Sequence, residues 1–76
     1  MSYIKKVVPK EEYRLEVLLD NGSSITLNME SRVGTVRFGM LADKSFFTQA
    51  ATDGCYIRWG NKIEISINEV FQLAQK

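Results

Sequence analysis

The side chains able to do chemistry are few, and most of them crowd into one stretch, DGCYIRWGNKIEIS, Asp53 to Ser66. It holds the only cysteine and the only tryptophan, an arginine between two large apolar residues, and a Gly-Asn pair. The chain has no histidine. That removes the commonest general base, the commonest metal ligand and the usual partner of a nucleophilic serine or cysteine. One cysteine without histidine makes no zinc site. Cys55 falls at an inward strand parity and reads as a core residue rather than a reactive thiol. The carboxylates of Glu11, Glu12, Asp20, Asp43 and Asp53 fall at turns or helix starts, where caps and solvated turn residues belong. None of them forms an evident acid-base pair. NGSS, Asn21 to Ser24, lacks the spacing and the following helix of a phosphate loop. The reading is therefore of no enzyme, no cofactor and no metal.

Two constellations remain. Arg58 beside Tyr56, with Lys62 near, makes a small stacking platform for a nucleic-acid base. Arg32, Arg37 and Lys44 are further basic residues able to share that surface. The plainer reading pairs Arg58 with Glu64 across a hairpin and leaves a solvated sheet face, and the net charge of +1 favours it. The second constellation is apolar. Phe46 and Phe47 are neighbours, and neighbours on a helix point about 100° apart. Phe47 is the core candidate. Phe46 then lies toward the rim near Met40, as a contact for another protein. The alternative wedges both rings between the two helices.

The elements that position these residues follow from period and punctuation. SYIKKVV reads as a short first strand, and Pro9 through Glu12 turn the chain. YRLEVLL and SSITLNM alternate around DNG and predict a hairpin. A one-residue slip would move every side chain to the other face, so parity selects the register. A three-residue loop, Asp20 to Gly22, pairs Tyr13 with Met29, Leu15 with Leu27 and Val17 with Ile25, all apolar, with Gly22 in the left-handed place. The same test on the second hairpin gives a loop of Gly60 to Lys62. It sets Trp59 against Ile63, Ile57 against Ile65, Cys55 against Ile67 and Arg58 against Glu64, and puts Lys62 in or near a left-handed conformation. Ser66 and Glu69 have capping-box spacing at the head of a closing helix with Val70, Leu73 and Ala74 on its apolar stripe. Asp43 caps a short helix running through Phe46, Phe47 and Ala50. Between the hairpin and that helix, SRVGTVRFGML has no clear period, and Gly34 and Gly39 argue against a long regular element there.

At 76 residues, 45% hydrophobic and 25% charged, the chain reads as one α+β domain spanning residues 1–76 with a thin core. The fold expected is a small antiparallel sheet of two hairpins with one or two helices on one face. A lone cysteine fits a reducing, cytoplasmic home, and no apolar run approaches a membrane span. MSYIKKVVPK carries lysines and leads into no apolar region, unlike a secretory signal.

In order, a strand ending in VVP, then YRLEVLLDNGS, ITLNM, FGMLADKSFFTQA, YIRWGNKIEIS and a closing helix resemble the bacterial domain-of-unknown-function family 2442. Leu41, Asp43, Phe47 and Trp59 occupy the places of that family's L-x-D-x-x-x-F segment and tryptophan. Gly60-Asn61-Lys62 stands where members often have Pro-Asn-Gly. The resemblance implies a curved antiparallel sheet with one or two helices, no established activity, and a component of toxin–antitoxin type. The leading functional expectation is a small non-enzymatic interaction or regulatory module binding another protein or itself. The alternative is a weak nucleic-acid binder using Tyr56, Arg58 and Lys62.

Overall fold

The computed structural model describes Tyr3 to Ala74 and has two antiparallel sheets of three strands and two α-helices. In the first sheet, β1 (Ile4–Pro9) pairs with β2 (Arg14–Leu19), and β2 with β3 (Ser24–Asn28). A short helix α1 (Lys44–Phe47) follows, then β4 (Ala50–Thr52), β5 (Tyr56–Trp59) and β6 (Ile63–Ser66), paired in that order as the second sheet. The closing helix α2 is Ile67–Ala74. The α+β class expected from the sequence is the class observed, with each hairpin extended by a third strand. The sheets meet where β1 runs beside β4, and the Ile4 N–H donates to the Gly54 carbonyl at 2.8 Å.

Both hairpin registers are those that parity selects. Val17 faces Ile25 and Leu15 faces Leu27. The Leu19 N–H donates to the Ser23 carbonyl, closing the three-residue loop, and Gly22 takes φ +91. Tyr13 precedes β2, yet its carbonyl still receives the Met29 N–H at 2.8 Å, so the predicted third pair survives as a backbone contact. In the second hairpin Trp59 faces Ile63, Ile57 faces Ile65 and Arg58 faces Glu64. The left-handed residue of that loop is Gly60, φ +61, and not Lys62 as expected. Glycine at the first loop position takes the positive φ without a side-chain clash, which frees Lys62 from it.

Two further expectations are corrected. Cys55 is exposed, not core. Asp53 Oδ1 accepts the N–H groups of both Cys55 and Tyr56 at 3.0 Å, and Gly54 has φ +103. This turn delays the start of β5 to Tyr56, so strand alternation does not reach Cys55; only its carbonyl keeps the predicted partner, accepting the Ile67 N–H at 2.9 Å. The helix after Asp43 stops at Phe47, and Ala50 lies in β4. Asp43 does cap it, accepting from the Ser45 N–H at 3.0 Å.

The core is wholly apolar: no polar or charged side chain is buried among the described residues. The inward rows of β2, β3, β5 and β6 supply Leu15, Val17, Leu27, Ile57, Trp59, Ile63 and Ile65. The irregular stretch between β3 and α1 adds Phe38 and Leu41, and α2 adds Val70. Ser66 caps α2 by accepting the Glu69 N–H at 3.2 Å. The Glu69 carboxylate does not complete the capping box; it turns to Arg37 instead.

Candidate functional site

The side chains proposed for nucleic acid do gather. Arg58 and Lys62 line one shallow hollow of about 380 Å³ at the tip of the second hairpin, and the Arg58 guanidinium lies 5.1 Å from the centre of the Tyr56 ring. That guanidinium is already engaged. It meets Asp53 at 2.5 Å and Glu64 at 3.1 Å. The Asp53 carboxyl is held down to about 2, first by the Arg58 hydrogen bond and then by the Cys55 and Tyr56 N–H groups. Arg37 is occupied in the same manner. It grips both Glu69 oxygens at 2.5 and 3.0 Å, donates to the Glu64 carbonyl, and lies 4.9 Å over Phe38. The Arg37 hydrogen bond lowers the Glu69 pKa.

The residues proposed for protein contact differ in exposure. Met40 is half exposed in a 3-10 turn, Gly39–Ala42. Phe46 is partly buried against the core, its ring edge 3.7 Å from where a Cβ on Gly60 would stand. Phe47 is the buried member of the pair, as expected. Its aromatic neighbour on the core side is in β5 rather than in α2: Phe47 stacks with Trp59 at 6.3 Å, and the Trp59 indole N–H donates to the Phe47 carbonyl at 3.0 Å.

The feature that sequence reasoning missed lies where β1 turns into β2. The Lys10 N–H donates to the Arg14 carbonyl at 2.7 Å, closing a tight loop of Glu11, Glu12 and Tyr13. Glu12 has φ +60, ψ +36, and Tyr13 has φ +59. These are successive left-handed residues with full side chains, at positions that tight hairpins ordinarily give to glycine or asparagine. Each costs about 1–2 kcal/mol of backbone strain. The strain is held by Tyr13. Its hydroxyl donates to the Ala42 carbonyl at 2.5 Å, and its ring meets Phe47 edge-on at 5.5 Å. Tyr13, Phe47 and Trp59 thus form an aromatic run from this loop into the core.

The loop is one wall of an open groove of about 720 Å³. Lys44 in α1 and Thr48 at its C-terminal end belong to a second wall, and Glu30 adds to the lining from just after β3. Pro9 and Tyr13 supply its apolar surface, and the almost wholly buried Phe47 also belongs to the lining. The volume is within the roughly 300–1,000 Å³ of small-ligand pockets. Lys10 pairs with Glu16 at 3.7 Å and Glu12 with Arg14 at 2.7 Å. Glu11, Glu30 and Lys44 take no ion-pair partner among the described residues. The only sequence signal is Pro-Lys-Glu-Glu itself, a charged turn whose residues give no hint of positive φ. No group of three or more metal-ligating side chains occurs among the described residues, and none of the described helices is long and apolar enough to cross a membrane.

Compared with known proteins, the chain matches no family model, no curated protein and no solved structure.

Proposed function

We propose that this chain is a non-catalytic interaction module that binds another protein, and that the groove between the β1–β2 loop and α1 is the contact. One observation carries the reading: two consecutive left-handed residues, Glu12 and Tyr13, form its wall. Strain of this kind persists only where the surroundings over-determine it, and it concentrates at binding sites. The turn that braces Tyr13 through Ala42 is the one that presents Met40, so a partner seated in the groove has a half-exposed methionine on a connected segment. The arginine of the Tyr56 platform is held by two carboxylates, which supports a protein contact over a nucleic-acid one.

The test is site-specific photocrosslinking in native lysate. A photoreactive residue is placed at Thr48 in the groove, at Met40, and at Ser24 on β3 outside the groove. A discrete adduct at Thr48, competed by excess unlabelled chain and absent at Ser24, is the expected result. Labelling at Thr48 no stronger than at Ser24 refutes the reading.

A further inference from the structure

We infer that the groove receives the side chain of a lysine or arginine carried by a partner protein; this rests on the reading of the groove as a protein contact and specifies its ligand. The groove offers charge complementarity beside an apolar surface. Five charged residues line the groove: Lys10, Glu11, Glu12, Glu30 and Lys44. Two of them are neutralised by neighbours outside the lining, Lys10 by Glu16 and Glu12 by Arg14. What is left is two carboxylates, Glu11 and Glu30, against one ammonium, Lys44. The balance is negative, and it is distributed unevenly. The ammonium belongs to the α1 wall, whereas Glu11 belongs to the strained loop and Glu30 to the segment just after β3.

A cationic head is therefore drawn to Glu11 and Glu30 and repelled from Lys44 in α1. Its methylene stem lies along Pro9 and Tyr13, as lysine and arginine stems lie on apolar surface while their heads stay polar. The rest of the chemistry agrees. Phe47 is almost wholly buried beneath, so the floor is firm. The loop wall is fixed by the Tyr13–Ala42 hydrogen bond, so little ordering is required on binding. An acidic or neutral ligand has no such match, because Lys44 is outnumbered by the two carboxylates.

The experiment uses the full chain, labelled with nitrogen-15, titrated with N-acetyl-arginine methylamide. The norleucine and glutamate methylamides are run alongside. The arginine compound is expected to move the amide signals of Lys10 to Tyr13, Glu30 and Thr48, and the other two to leave them in place. E11Q and E30Q should each weaken it about three- to fivefold, the worth of one exposed ion pair. K44Q should strengthen it, since a like charge is removed. Equal shifts from norleucine, tighter binding of glutamate, or weakening by K44Q would each overturn the assignment. So would a concentration-dependent dimer whose own interface moves these same signals, which would make a second copy the occupant. The two failures are distinguishable. A Thr48 adduct with no response to the arginine compound sinks the ligand class and leaves the protein contact; a response without any adduct sinks the protein contact and, with it, the inference.

Discussion

The left-handed pair at Glu12 and Tyr13 can be tested at Glu12 by comparing two substitutions with each other. E12A and E12G both remove the Glu12–Arg14 ion pair, whose side chains are 70% and 42% exposed, so its small contribution cancels in the comparison. What differs is the backbone. At an ordinary position alanine is the more stable by about 0.5–1 kcal/mol, because glycine loses more freedom on folding. At φ +60, ψ +36 alanine bears the left-handed penalty of about 1–2 kcal/mol and glycine does not. Subtracting the entropy term from that penalty leaves E12G more stable than E12A by about 0.5–1 kcal/mol. With a urea dependence of about 1 kcal/mol per molar for a chain this small, the E12G midpoint lies about 0.5–1 M above that of E12A. Lys62 is the control, since its φ is not positive: there K62A should exceed K62G. An E12A midpoint at or above that of E12G would mean that the loop is not left-handed at Glu12, and the strain argument for the groove would fall with it.

Two further expectations concern the supports on either side. W59F keeps a ring in the stack but removes the indole N–H that satisfies the buried Phe47 carbonyl, and should cost about 1–3 kcal/mol in urea unfolding; a change below about 0.5 kcal/mol would mean that the carbonyl finds another donor. Asp53 should titrate at about 2 instead of 3.8 in a carbon-13 carboxyl titration. Because its folded value is the depressed one, its stabilising effect is complete above about 3.8 and is lost as pH falls through about 2; a midpoint near 3.8 would show that Arg58 and the two N–H groups do not hold it in solution.

The parts of the fold legible in the sequence are those that depend on period and on glycine. Parity alone separates the observed registers of both hairpins from their one-residue alternatives, because a slip would expose Leu15, Val17, Ile57 and Trp59 together. Parity misleads at Cys55 because the Asp53 side chain turns the chain there, and a capping aspartate carries no mark of how many residues it diverts. β4 is not visible because Ala-Ala-Thr has little strand character of its own; it is a strand because β5 presents a ladder to it. The pairing of Arg37 with Glu69 spans 32 residues and has no local signature. The groove is hidden for a related reason. The residues that would announce positive φ, glycine and asparagine, are absent from Lys-Glu-Glu-Tyr, so the turn looks like ordinary solvated chain.

The strained loop and the core are best understood together. Pairing between β1 and β2 runs to Pro9 and Leu15, and the Lys10–Arg14 bond leaves only three residues to reverse direction. Two ladders thus fix where the loop begins and ends, since β2 is itself locked in register to β3. A one-residue shift of β2 would turn Leu15 and Val17, both wholly buried, out of the core. Burying each of those side chains is worth about 1.5–3 kcal/mol, more than the strain of about 1–2 kcal/mol at each loop residue once β3 is counted. The sheet holds the loop to three residues, and the Tyr13 ring lands against Phe47 rather than in solvent. A rigid wall over an apolar floor follows from strand register, and the charges of Glu11 and Glu30 are set around it by the two chain segments that the register brings together.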